Sequence, residues 1–249
     1  DKLISQKYKY VALYLNGEYF GLYAIRERHS EELFASYMHV PADGVQIVRY
    51  MTTENNDLKD LYQLLKRDNL RSDENYAYAK SILNMESYAD WIIYEAYMAN
   101  IDIHANVRFY RNPVDGIWYM GLADLDLGMM ENHESFSMLA DCFHHGLMID
   151  ALMRNEEFQH LLATRLAQLL EGPLSDENAI AMINQMADTI RDETVWEEER
   201  WGTPVHSWEV AVQYMIDFCD GRTKELIDNF CMQMAFTEEE REAYFGHLE

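Results

Sequence analysis

Residues 102–126 read DIHANVRFYRNPVDGIWYMGLADLD, and the fold of the whole chain turns on this run. Val107 to Arg111 reads as a short strand, Asn112-Pro113-Val114-Asp115-Gly116 has turn chemistry, and Ile117 to Ala123 reads as a second strand pairing with the first. Because the two arms are of similar length, the residue after the second strand returns to the residue before the first. Asn106 and Asp124 are therefore predicted to be neighbours, with Asp102 and Asp126 close by, which makes a convergent set of oxygen donors. Such donors suit Mg2+ or Mn2+, which need only one or two carboxylates when phosphates complete the shell. Plain structural readings compete. Asp102 can cap the turn after a helix, and Asn106 can hold a loop through backbone bonds. Asp124 and Asp126, read as lying on one side of an extended segment, would be costly to bury together without a cation.

Upstream of this run, Met85 to Ala99 carries aromatic and aliphatic residues at helical spacing and would deliver the chain to Asp102. Leu58 to Lys66 and Tyr76 to Leu83 are shorter amphipathic stretches. Nearer the start, Tyr10 to Leu15 and Glu18 to Ile25 flank Asn16-Gly17, a pair suited to positive φ, and predict a β-hairpin. Ser30 can cap a helix through Tyr37, and Val45 to Tyr50 reads as a further strand. Downstream the pattern is helical over Leu147 to Arg154, Glu156 to Glu171, Ser175 to Glu193, His206 to Asn229 and Thr237 to Phe245, with breaks at Gly172-Pro173 and Gly202-Thr203-Pro204. The fold class expected is α+β: a small N-terminal hairpin and sheet region, then a large, mainly helical lobe. Residues 1–249 read as a single domain with a β-rich part (1–55), a central helix, loop and hairpin (56–146) and a helical part (147–249).

The chain has 249 residues, 49% of them hydrophobic, enough for one substantial core. Its 20 Lys and Arg stand against 44 Asp and Glu, and a formal charge of −24 disfavours nucleic acid or anionic lipid as a partner. No apolar run is long enough to predict a membrane span. Cys142, Cys219 and Cys231 are too few and too irregular for a disulfide framework and read as buried thiols. His104, His133, His144 and His145 lack the spacing of a zinc site, and Ser135 and Ser137 lack a GxSxG elbow. Trp91, Trp118, Trp196, Trp201 and Trp208 read as core or helix-packing anchors.

The blocks Asp102-Ile-His-Ala-Asn106, Phe109-Tyr110-Arg111, Gly116-Ile-Trp118 and Ala123-Asp124-Leu125-Asp126 resemble, in order and spacing, the CotH kinase family of spore coat protein H-like atypical kinases. The likeness extends upstream to Leu15-Asn16-Gly17-Glu18-Tyr19-Phe20-Gly21-Leu22-Tyr23 with Glu27, and downstream to Leu152 to Leu166, Arg200-Trp201 and Arg222. It implies an atypical protein-kinase-like fold and phosphoryl transfer from ATP, with Mg2+ or Mn2+, to Ser or Thr hydroxyls of a protein substrate. Asp102 would take or orient the hydroxyl proton, Asn106 and Asp124 would hold the metal, and Asp126 would assist. It further implies a location at the spore coat, at the cell surface or in secreted form rather than in the cytoplasm.

Family members usually carry a longer N-terminal portion that helps enclose the nucleotide, and this chain is expected to begin after most of it. No Gly-rich phosphate loop is found, so phosphate contacts are assigned to scattered bases, Lys7, Lys9, Arg26, Arg28 or Arg49, with Arg49 preferred. Glu27 could orient a basic partner or sit in a solvated ion pair with its Arg neighbours. The alternative function is a catalytically degenerate surface or spore-coat binding and assembly module on the same scaffold.

Overall fold

The computed structural model describes residues 3–49, 72–103, 106–129, 152–202, 204 and 206–248. The expected hairpin is present as β1 (Tyr8–Leu15) and β2 (Glu18–Arg26), running antiparallel from Tyr8 opposite Arg26 to Leu15 opposite Glu18. Asn16 and Gly17 at its tip have φ of 53° and 85°, the pair of positive angles that a two-residue turn matching strand twist requires. Helix α1 (Glu31–Met38) starts where the Ser30 side chain accepts the Leu33 N–H.

Strand β3 (Gln46–Arg49) departs from the simplest grouping. It does not extend the N-terminal hairpin but pairs with β4 (Arg108–Arg111), which pairs in turn with β5 (Trp118–Gly121). The predicted central hairpin is thus the heart of a three-stranded sheet, with Gln46 opposite Arg111 and Arg108 opposite Gly121. Ile4 bridges to Gly121 on the free side of β5, and Leu83 to Trp118, so that edge is covered by two short contacts.

Helix α2 (Asp73–Ile82) leads into α3 (Met85–Met98), the element around which the core is built. Most of α3 is buried, including Tyr88, Trp91, Ile92 and Tyr97, as expected of a helix apolar on nearly every face. It packs on β5 and on α4 (Glu156–Glu171), whose Phe158, Leu162 and Leu166 join the same cluster. Asp90 of α3 is buried and receives a two-pronged bond from Arg165 of α4, Nε to Oδ1 at 2.7 Å and Nη2 to Oδ2 at 2.8 Å. A paired geometry of this kind is what allows a carboxylate to stay buried.

Beyond α4, the chain forms α5 (Asp176–Ile190), a 3-10 turn at Arg191–Glu193 and α6 (Thr194–Trp201). The single helix expected over His206 to Asn229 is two: α7 (Trp208–Cys219) and α8 (Arg222–Met234). Gly221, at φ 78°, breaks it, and Asp176 at the start of α5 accepts the freed amides of Gly221 and Thr223, both at 2.8 Å. Apolar spacing runs through this break, so periodicity alone could not reveal it. The last helix, α9 (Glu238–Phe245), begins with a reciprocal Thr237–Glu240 capping box.

Cys219 and Cys231 are buried thiols, as expected, and Trp91 and Trp118 are fully buried. Trp196 and Trp201 instead lie half-exposed on α6, where they pack against Tyr19 and Phe20 of the hairpin. No helix among the described residues is long and apolar enough to cross a membrane. Leu58 to Lys66, Tyr50, His104, His133, Ser135, Ser137, Cys142, His144, His145 and residues 147–151 lie outside the described residues.

Candidate functional site

The site is built from the end of α3. Ala99 takes a left-handed conformation that stops the helix, and Arg222, buried at the start of α8, donates from Nε and Nη2 to the carbonyls of Ala96 and Tyr97 at 2.9–3.0 Å. These are helix-terminal carbonyls at the negative end of the helix dipole; Ala96 also accepts the Ala99 N–H at 3.2 Å, and the guanidinium adds to that bond and serves Tyr97 as well. Fixed there, the chain enters Asn100, whose Nδ2 donates to Glu95 Oε2 at 2.8 Å and whose Oδ1 accepts the Asp102 N–H at 3.2 Å. Glu95 is fully buried, and that burial pushes its carboxyl up to about 7, opposed in part by the Asn100 amide and the Trp91 indole. Neither Trp91 Nε1 nor Glu95 Oε1 completes a hydrogen bond of its own.

Asp102 is half-buried. Asn106, buried just before β4, donates through Nδ2 to both the carbonyl and the Oδ2 of Asp102, at 3.3 and 3.2 Å. With its amide nitrogen spent in this way, Asn106 has only Oδ1 left to offer, an oxygen donor of the kind a hard cation takes. On the other arm, the Asp124 carbonyl lies 3.5 Å from the Asn100 Nδ2 that also holds Glu95. The predicted return of the hairpin therefore brings the Asp102 and Asp124 backbones to one shared amide.

Asp124 itself departs from expectation. It is not on an extended segment: its φ is 58°, a left-handed value uncommon for a residue with a Cβ. Asp124 and Asp126 are both exposed, so the cost of burying two carboxylates does not operate here. Among the described residues, no three His, Cys, Asp or Glu side chains lie close enough to hold a metal ion. The donors that remain, one Asp124 carboxylate and one Asn106 amide oxygen, match Mg2+ or Mn2+ completed by phosphate better than a cage made of protein alone.

Asp124 lines a cavity of about 390 Å3 whose walls are mainly basic, with Arg26, Arg28, Arg49, Arg108 and His29 beside Gln6, Ala123 and Glu27. In a chain with a net charge of −24 this is a strong local reversal of sign. Arg49 and Arg108 sit directly opposite each other in the β3–β4 ladder, a like-charge pairing that destabilises a sheet unless an anion lies between. His29 reports the same field. Burial, and then the guanidinium groups of Arg108, Arg49 and Arg26, hold its imidazole down to about 4, so it is neutral at pH 7. Its Nδ1 lies 2.6 Å from the Tyr110 hydroxyl.

Of the bases suggested by sequence, Arg26, Arg28 and Arg49 line the cavity, whereas Lys7 lies over the Tyr37 ring. Glu27 lines the cavity too, but its Oε2 accepts the Lys7 backbone N–H at 2.9 Å, so it staples the base of the hairpin. Asp102, Asn106 and Asp126 are not among the cavity's lining residues; Asp124 alone joins the acidic side to the basic one. Sequence reasoning missed Arg108 and His29. A charged residue inside the short strand Arg108–Arg111, beside three buried aromatic and apolar neighbours, was the available signal.

Comparison with curated proteins gives no match. A family model described as CotH kinase protein matches residues 2–226, nearly the whole of the hairpin, sheet and helical architecture laid out above. With that match spanning most of its length, the chain belongs to the CotH kinase family, a group of kinase-like function.

Proposed function

We propose that this protein transfers a phosphoryl group from ATP, with Mg2+ or Mn2+, to Ser or Thr hydroxyls of a protein substrate. The observation that carries the reading is the cavity in which Asp124 faces four arginines, two of them paired against each other across a sheet. Arg26, Arg28, Arg49 and Arg108 would hold the phosphates. Asn106 and Asp124 would hold the metal with Asp126 in support, and Glu27 keeps the base of the hairpin in place beside them. A bound cation would neutralise phosphate charge and place the transferring group. Asp102, whose Oδ2 is engaged by Asn106, would use Oδ1 to orient the acceptor hydroxyl and take its proton. The whole chain would act as one unit, at a spore coat or cell surface.

The test is transfer of labelled phosphate from ATP, to the protein itself or to Ser/Thr peptides, with Mn2+ or Mg2+ added or chelated. Asp102→Ala and Asp124→Ala should each reduce transfer at least about a thousandfold while the protein stays folded. Undiminished transfer in both variants would falsify the assignment. A second reading, a binding or coat-assembly module without turnover, is favoured by the aromatic surface of the hairpin and α6, where Tyr14 and Trp201 are each 59% exposed. Calorimetry with ATP and Mn2+ separates the two, because tight binding followed by turnover leaves no room for the second.

A further inference from the structure

Asp102 and Asp124 reach the site along separate paths, one from the end of α3 and the other from the end of β5, yet a single side chain touches both. Asn100 is completely buried. Its Oδ1 accepts from the Asp102 N–H, while its Nδ2 donates to Glu95 Oε2 and lies 3.5 Å from the Asp124 carbonyl. Its own N–H donates to the Glu95 carbonyl at 3.2 Å. The amide can face only one way, since the Asp102 N–H requires an acceptor and Glu95 Oε2 and the Asp124 carbonyl both require a donor.

Asp124 makes this arrangement matter for more than packing. Its left-handed backbone, φ 58°, persists only if its surroundings hold it there, and the carbonyl turned inward by that conformation is the one Asn100 faces. Released, Asp124 would return to an ordinary backbone region, and its carboxylate would leave the wall it shares with the arginines.

We propose that Asn100 is a positioning residue that sets the separation of Asp102 and Asp124, with Glu95 as the anchor that fixes the direction of its amide. Its consequence for metal and nucleotide rests on the phosphoryl-transfer reading; its consequence for the backbone at Asp124 does not.

The test exploits the polarity of the Asn100–Glu95 bond. At pH 8, above the Glu95 value, Asn100→Asp removes the Nδ2 donor and sets carboxylate against carboxylate. Adding Glu95→Gln restores the bond with donor and acceptor exchanged, and it keeps an oxygen for the Asp102 N–H, yet it gives the Asp124 carbonyl no donor. Thermal unfolding, amide hydrogen exchange over residues 122–129 without ligand, and Mn2+·ATP affinity are measured on the full chain. The single variant should unfold at a lower temperature. The double variant should regain the melting temperature of the parent while exchange over 122–129 stays at least about tenfold faster, and Mn2+·ATP binding about tenfold weaker. Glu95→Gln alone, which keeps an acceptor for Nδ2, should leave exchange over 122–129 at the parental rate. If Asn100→Asp does not fold, Asn100→Ser, whose hydroxyl is too short to reach Asp124, is read in the same way.

Parental exchange over 122–129 in the double variant, or in Asn100→Ser where that replaces it, overturns the proposal whatever the ligand data show. Faster exchange in a protein whose parent binds no Mn2+·ATP upholds the positioning role and overturns the phosphoryl-transfer reading instead.

Discussion

The acidic side of the site hangs from the core, whereas the basic side is assembled from edges. Asp102 and Asp124 converge through Asn100 on α3, an element buried along most of its length and clamped at its end by Arg222. The arginines come from the end of β2, from the loop after it and from two neighbouring strands, and the hairpin that carries Arg26 is largely exposed. The electrostatics run in opposite directions too. Burial pulls the Glu95 carboxyl upward behind the acidic side, while burial and three guanidinium groups pull the His29 imidazole downward in the basic wall. Each half is unfavourable alone, and each becomes favourable when a polyanion and a cation lie between them. Core packing holds the geometry on one side, and only the ligand can relieve the charge on the other.

The sharpest way to break this contrast is to cut the clamp under the acidic side. Arg222→Leu takes the guanidinium from both carbonyls, leaving Ala96 with the Ala99 N–H alone and Tyr97 without its buried side-chain donor, and should lower stability by about 3 kcal/mol, a fall in Tm on the order of 10 °C by calorimetry. A variant as stable as the parent would show that the end of α3 needs no clamp.

The opposed titrations give the next effect. The folded Glu95 carboxyl, near 7 against an ordinary value of 4.5, still holds its proton where the unfolded chain has lost it. It therefore costs nothing below about pH 4.5 and draws stability down as pH rises to 7. The folded His29, near 4 against 6.5, works the other way. It costs nothing above pH 6.5 and draws stability down as pH falls toward 4. Each slope is at most about 1.4 kcal/mol per pH unit, the value for one proton. Urea unfolding from pH 4 to 8 should therefore show Glu95→Gln removing a downward slope and His29→Phe removing an upward one; slopes of the same sign would contradict the assignment.

The smallest effect tests the wall itself. Arg108→Gln relieves the pairing with Arg49, so the ligand-free protein should be unchanged or more stable by about 0.5 kcal/mol. Its ATP affinity should fall about tenfold, with a weaker dependence on salt. Loss of both stability and affinity would make Arg108 a structural residue rather than a ligand-facing one.

The same contrast explains what could be read from the sequence. Asn16-Gly17, the cap at Ser30 and the Asp102-to-Asp126 hairpin were legible because each is decided by neighbours a few residues away. The acidic side inherits that legibility. The basic wall shares it only in part: Arg26, Arg28 and Arg49 stand out as bases in the sequence, but their meeting with Arg108 follows only once β3 has chosen β4 over the N-terminal hairpin, a choice between sheets that no local pattern encodes. The helix break at Gly221 escaped for a related reason, since the carboxylate that catches it belongs to Asp176. The left-handed backbone of Asp124 carries only a faint sequence signal, since Asp tolerates that region better than most residues but rarely adopts it.

The clasp between α6 and the hairpin bears on how the chain assembles. Glu197 accepts from the Leu22 N–H and from the Tyr19 hydroxyl, contacts that span 175 and 178 residues of sequence. A two-stranded ribbon is marginal in water by itself, and long-range closures come late and slowly. On the ribosome, then, the arginine-bearing hairpin lacks its clasp to α6 until residue 197 emerges, long after the sheet and α3 are available. The pocket is completed only once residue 197 has been made, so a partly made chain has little capacity to capture polyanions before its scaffold is in place.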